Sequence, residues 1–595
     1  MGTQTVRILD LFDRPVTRQI EEVVKVDQTN PGAVYEEISE YVVTDTIRRY
    51  FTDILDRYDE TPHKPHEGIG IWISGFFGSG KSSFAKILGY VLEGRELPGI
   101  DARTLFLQRT QDDKIQALLN GIAARIPTTA VIFDVSTDRG VRSGSEKITE
   151  IMYRAFLRNL GYADDLGLAE LEIALEGDKP ERLGPFVSAY EARYNRLWDE
   201  GKKVTAFAIN QASAIMRDLE PDTYPQADSW AKAKREVDVS PNLLAERVFT
   251  LMERRREGRS VLFVIDEVGQ YVSRSVDKIL DLQGVVQALG RVGRDRALQG
   301  KGTGQAWVAV TSQEKLNEIV SSLDDKRVEL ARLQDRFPLR VDLAPQDISE
   351  VTSRRVLTKT AAAEAELMAL YSAHQHTLAA RTRIQSDIPR AALSAIDFAN
   401  LYPFLPYQVD LVISIVSGLR NQPGANRATG GSNRTIIKLA QQVLINDRVN
   451  LGEKPVGALV TLDMIYDLTE GNLTYERRQD IAEIARAVDV AGTSATDDPD
   501  SPFHTADGAT ILRVAKAITL LGFIRDTPAT AENIAAVLYP TLGAGSLQPV
   551  VQGAIDALVR GRMIKPTENG YQMLSAEGKQ WEEERQGIAL ATWRL

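Results

Sequence analysis

One short stretch constrains this 595-residue chain more than anything else in it. Gly75-Phe76-Phe77-Gly78-Ser79-Gly80-Lys81-Ser82 matches the pattern G-x-x-x-x-G-K-[ST] in full. The flanks fit it. The apolar run Gly70 to Ser74 (GIWIS) predicts a buried strand before the loop, and Lys81 to Leu92 predicts a helix after it. Glycines let backbone N–H groups turn inward around phosphate oxygens, and the start of a helix adds partial positive charge. Gly75, Phe76, Phe77, Gly78, Ser79, Gly80, Lys81, Ser82 and Ser83 are therefore the candidate phosphate cradle. Lys81 reaches the β and γ phosphates of a nucleoside triphosphate, and the Ser82 hydroxyl ligates its Mg²⁺.

Such a loop needs a carboxylate at the tip of a nearby strand. Val261-Leu262-Phe263-Val264-Ile265-Asp266-Glu267 supplies one. Asp266, the first acid after the apolar run, is the expected Mg²⁺ ligand. Glu267 is placed to orient and deprotonate an attacking water. The run Trp307 to Thr311 leads into Ser312 and Gln313, and a polar side chain there can sense the terminal phosphate. Gln313 and Ser312 are the candidates, and an ordinary polar strand end reads the same way. In Arg332 to Pro338, Arg336 either protrudes across a subunit boundary as a transition-state arginine or pairs with Asp335. Arg434, in Gly431-Ser-Asn-Arg434-Thr, is a candidate second sensor.

Further β-branched runs at Ala130 to Val135 and Leu339 to Leu343 alternate with helical or polar sequence. That alternation predicts an α/β fold with a parallel sheet covered on both faces. Residues 61–345 form the expected core, with a helical insertion at about 140–255 too long for a simple crossover. Residues 1–60 read as an N-terminal segment with a helix from Asp45 to Tyr58, and 346–450 as a helical lid with an aromatic island at Leu401 to Tyr407. Residues 451–507 read as a helical connector ending in an acidic, proline-containing linker from Asp497. Residues 508–595 hold three helical runs (Thr510 to Leu521, Thr530 to Leu538, Leu547 to Arg560), then an Asn-Gly hairpin and a tail. Three helices and a hairpin predict a winged helix.

Composition narrows the chemistry. There are no cysteines, which excludes disulfides, Cys-built zinc sites and a Cys nucleophile. The five histidines do not cluster, so no metal beyond Mg²⁺ is expected. The formal charge is −11, from 71 basic and 82 acidic residues, so double-stranded DNA would have to be met by a local patch. Residues 511–575 carry Arg513, Lys516, Arg525, Arg560, Arg562 and Lys565 against Asp526, Glu532, Asp556 and Glu568. The third helical run is mostly apolar, so a DNA-reading and a protein-docking role stay equally open. The arginines at 254–256, 259, 291, 294 and 296, on predicted helices beside acids, read as solvated faces. Met1 to Asp10 has no apolar run and no stretch is long enough to span a membrane, so a cytoplasmic location without membrane partners is expected.

The order of these parts resembles the AAA+ class, and more narrowly its initiator branch (Orc/Cdc6-like). Closer still, the wording is similar to the BrxC/PglY family of P-loop ATPases from BREX and phage-growth-limitation defence systems. Gly70 to Gly89 (GIWISGFFGSGKSSFAKILG), Phe263 to Tyr271 (FVIDEVGQY), Val310 to Leu316 (VTSQEKL), Arg336 to Leu343 (RFPLRVDL) and Tyr402 to Gln408 (YPFLPYQ) carry the resemblance. It implies that the nucleotide is ATP and that the protein works with a methyltransferase and other defence-system members. Members of that family are usually about twice this length. Three functions fit: an ATPase that self-associates with nucleotide and remodels a DNA-associated complex, a nucleotide-gated scaffold with slow hydrolysis, or an initiator or loader ATPase with sequence-specific DNA binding.

Overall fold

A computed structural model describes residues 6–18, 30–75, 79–135, 146–177, 181–233, 237–272, 275–301, 305–321, 333–343, 345–387, 393–420, 436–493, 503, 507–575 and 578. The chain divides into two compact units, Val24–Leu343 and a second built from Met1–Val23 with Ala344–Leu595. The N-terminal segment is thus shared between them. Its helix Asp45–Asp59, capped by the Thr44 hydroxyl on the Ile47 amide at 3.1 Å, belongs to the first unit. Ile47, Phe51, Ile54, Leu55 and Tyr58 recur at helical spacing and are all buried.

The first unit is built on five strands: β1 (Gly70–Gly75), β2 (Thr128–Asp134), β3 (Ser260–Asp266), β4 (Trp307–Ser312) and β5 (Leu339–Leu343). They lie in the order β2-β3-β4-β1-β5 and every pairing is parallel. Each apolar run of the sequence is one of these strands. Every residue of β3 and β4 is buried, as a strand covered on both faces requires. The helix Lys81–Glu93 packs against β1 to β4 and is buried from Phe84 to Leu92. Parallel pairing brings the C-terminal ends of all five strands to one edge, the position where α/β sheets bind ligands.

The insertion is helical throughout its longer described stretches, from Ile148–Asn159 to Pro241–Arg255. Its first and last helices join the core of the sheet. The middle ones close around a separate core that includes Phe186, Tyr190, Trp198, Met216 and Trp230. Arg254 and Arg256 are exposed, as a solvated face requires, but all three arginines at 254–256 also hold backbone carbonyls. Arg254 donates to the Ile173 carbonyl, Arg255 to the Leu160 carbonyl and Glu176, and Arg256 to the Asn159 carbonyl. They tie Pro241–Arg255 to the turns between earlier helices.

The described residues of the second unit are mainly helical. Arg7 pairs with Glu453 at 2.9 Å, and Phe12 bridges Lys359, which places residues 6–18 in this unit. In the aromatic island, the Tyr402 hydroxyl accepts the Gly457 amide at 2.7 Å and Gln408 donates to the Val460 carbonyl. Helices Gly508–Leu521, Ala531–Val537 and Gln548–Arg560 precede an antiparallel hairpin of β6 (Ile564–Thr567) and β7 (Gly570–Met573). Among the described residues, no helix is long and apolar enough to cross a membrane.

Candidate active site

The glycine-rich stretch lies where β1 ends and the helix Lys81–Glu93 begins. Phe76, Phe77 and Gly78 lie outside the described residues, as does Arg434. The two ends of the loop are defined. Gly75 has φ +155°, and a Cβ there would stand 2.5 Å from Ser79 Oγ and 2.9 Å from the Leu343 carbonyl. No side chain fits. Gly80, the N-cap, is left-handed at φ +89°, with open space around the missing Cβ. There the backbone conformation, not crowding, selects glycine. Ser79 is 9% exposed, and its hydroxyl is buried without a hydrogen-bond partner among the described residues. Lys81, Ser82 and Ser83 form the half-buried first turn of the helix.

Asp266 ends β3 and is 5% exposed. Its carboxylate accepts from the Thr311 hydroxyl on β4. The same hydroxyl accepts the Glu267 amide at 2.9 Å. Glu267 follows Asp266 in the left-handed region, at φ +59°, which is uncommon outside glycine. One threonine therefore orients the metal-ligand candidate and fixes the turn that carries the base candidate. Strand pairing sets Asp134, the last residue of β2, beside Asp266, so a further carboxylate stands on this edge.

Of the candidates on β4, Ser312 is buried and its hydroxyl accepts the Glu314 amide at 3.1 Å. Gln313 is exposed one residue beyond the strand. Thr311 is the residue that the reading of this strand end missed. Its partners lie on another strand, and the one available signal was that a β-branched hydroxyl sits just before the strand exit.

Arg336 occupies the other edge. It precedes β5, and its guanidinium donates to Glu67 at 2.8 Å, not to Asp335. Glu67 precedes β1, so both stand at the N-terminal ends of the strands, away from Gly75 and Asp266. Structure thus brings Gly75, Ser79, Gly80, Lys81, Ser82, Ser83, Asp266, Glu267 and Gln313 to the strand-exit edge and keeps Arg336 from it.

These residues fit a nucleoside triphosphate and its magnesium. A buried, unpartnered hydroxyl beside a left-handed helix start is suited to an anion. Among the described residues no group of three or more His, Asp or Glu is arranged to hold a metal. Magnesium in phosphate sites does not need one, since it is bound by one or two carboxylates together with substrate oxygens. No protein-family model matches the chain, and no solved structure matches it.

Proposed function

We propose that the Val24–Leu343 unit is a P-loop ATPase of the AAA+ type that binds and hydrolyses Mg-ATP. The observation that carries this reading is the Thr311 hydroxyl, shared between Asp266 and the Glu267 amide on the same strand edge as the Gly75–Ser83 loop. Loop, acid pair and polar strand end come from three separate parts of the sequence, and α/β sheets bind ligands at that edge.

Lys81 and the loop amides bind the β and γ phosphates, and Ser82 with Asp266 holds the ion. Magnesium, when bound, neutralises charge on the phosphate oxygens and the leaving group. Glu267 accepts a proton from water as its oxygen bonds to the γ-phosphorus. The bond from that phosphorus to the β–γ bridging oxygen breaks, and ADP leaves with the bridging oxygen. Thr311 keeps Asp266 and Glu267 in register throughout. Arg336, far from these phosphates, serves a second copy of the chain. The protein self-associates with nucleotide and remodels a complex.

Residues 346–450 act as a helical lid, and the three helices and hairpin after residue 507 as a winged helix. In that last unit Arg513 is paired with Asp463 at 3.0 Å and Lys516 with Asp467. At least two of its six cations are thereby paired with acids on the preceding helix Leu462–Thr469, which favours protein docking over DNA reading. A role in BREX-like defence rests on the resemblance of the sequence strings alone.

Calorimetry with ATP and Mg²⁺ tests the reading directly. Wild type binds, Lys81→Ala loses most of the affinity, and Glu267→Gln binds but does not turn over. Absence of binding heat in the wild type would overturn it. Binding without turnover in the wild type would leave the nucleotide-gated scaffold.

A further inference from the structure

Arg336 is held in an unusual way. Its side chain is 19% exposed, it gives one N–H to a single oxygen of Glu67, and its Nε is buried without a partner among the described residues. The other oxygen of Glu67 is taken by Arg294, which also pairs with Asp295. One carboxylate thus faces two guanidinium groups. An arginine has five donors in a planar fork that matches carboxylate or phosphate two at a time. Among the described residues Arg336 spends one of those five donors.

The backbones of the pair are fixed. A Cβ on Gly290 would stand 2.5 Å from the Glu67 carbonyl, and one on Gly70 would stand 2.4 Å from the Arg336 carbonyl. The two residues meet at the N-terminal edge of the sheet. The six residues of β1 lie between this edge and the phosphate loop, about 20 Å at 3.3 Å per residue. No side chain rotation brings Arg336 to its own nucleotide.

We propose that Glu67 is an intrachain latch on Arg336. In the separate chain Glu67 neutralises the guanidinium and keeps it half-buried. On assembly Arg336 leaves Glu67 for the terminal phosphate of a nucleotide held by a second copy. Arg294 makes the exchange cheap, because Glu67 keeps one cation and is not left as an uncompensated carboxylate. The inference rests on the ATPase reading above, and it adds a brake that couples nucleotide occupancy to association.

Sedimentation tests it, using the full chain with a non-hydrolysable ATP analogue and Mg²⁺. Glu67→Gln keeps shape and removes charge, and it is expected to lower the protein concentration at half-assembly by about two- to fivefold, the range a partly exposed ion pair supplies. Arg294→Gln frees the second oxygen for Arg336 and is expected to move the midpoint the opposite way. Misfolding cannot produce both shifts. Neither shift appears without nucleotide, and Arg336→Ala cancels the effect of Glu67→Gln. Unchanged midpoints in chains that bind the analogue by calorimetry would overturn the latch and leave the ATPase reading standing. So would a Glu67→Gln shift that persists without nucleotide. If wild type binds no analogue, both fail.

Discussion

The Thr311 hydroxyl donates to the Asp266 carboxylate across 45 residues of sequence. Because that hydroxyl also accepts the Glu267 amide, one side chain sets the direction of one acid and the backbone of the next. Hydrogen bonds to charged groups are worth about 1.5–3 kcal/mol. Left-handed backbone at a non-glycine residue costs about 1–3 kcal/mol and persists only where its surroundings enforce it. Thr311→Val keeps the shape of the core and removes both bonds. If the unit hydrolyses ATP as proposed, steady-state assays should show kcat lower by roughly 10- to 100-fold, the usual effect of losing a group that orients a metal ligand. Thr311→Ser should recover most of it. A Thr311→Val variant with wild-type kcat would show that the acid pair orients itself.

Gly75 and Gly80 fail differently when replaced. At Gly80 there is room for a methyl group but the backbone is left-handed, so Gly80→Ala should cost about 1–2 kcal/mol and weaken nucleotide binding. At Gly75 the methyl group meets Ser79 and the Leu343 carbonyl as well. Gly75→Ala should therefore lower the thermal midpoint more than Gly80→Ala, and scanning calorimetry of both variants checks the order. The reverse order would mean that the turn, not the crowding at β1, limits the loop.

What the sequence could reveal followed from local pattern. The runs behind β1 to β4 became strands because a strand buried on both faces must be apolar along its length. Leu339–Leu343 was legible as the alternating pattern of an edge strand, and both signals fit in a window of six residues. The loop and acid pair were legible for the same reason: each is contiguous. Thr311, Asp134 and the Glu67–Arg336 pair were not, because each gains its role from a partner on another strand or edge, in the last case 269 residues away. Arg255 looked like a solvated charge, yet it lies over the Tyr162 ring at 3.7 Å and pairs with Glu176. Residues 1–60 read as one segment, whereas the pairing of Arg7 with Glu453 and the packing of Phe51 on Phe84 assign its parts to different units. Nothing local to residues 1–60 encodes that division.

His66 gives the first unit a defined sensitivity to acid. Its ring is edge-on to Trp307 at 5.6 Å, and both nitrogens are buried. Burial, helped by the nearby Arg57, pushes its pKa down to about 4. In the unfolded chain the value is about 6.5. Between these values the unfolded state holds the extra proton, so stability is full above about pH 6.5 and falls as pH drops toward 4. His66→Phe removes that loss. Urea titrations at pH 5 and 7.5 should show a smaller difference between the two midpoints for His66→Phe than for wild type. Equal differences would place the acid sensitivity elsewhere.

The insertion has its own buried charge pair, and its stability should be separable from nucleotide binding. Glu172 is 2% exposed and accepts from Trp198 Nε1 at 2.7 Å, Lys202 Nζ at 3.2 Å and the Ala163 amide at 2.7 Å. Lys202 also donates to the Gly161 carbonyl at 2.6 Å. Removing one member of such a pair leaves an uncompensated buried charge, at a cost of about 3–5 kcal/mol. Lys202→Met should fall at the lower end, about 3 kcal/mol, because two N–H donors still hold Glu172. Adding Glu172→Gln should restore part of the loss, since the remaining group is then neutral, and a double-mutant cycle by urea unfolding measures the coupling. The surrounding aromatic core is distinct from the core of the sheet, so calorimetry with Mg-ATP should give the same affinity for Lys202→Met and wild type. A large loss of nucleotide affinity would instead mean that the insertion is energetically coupled to the phosphate loop.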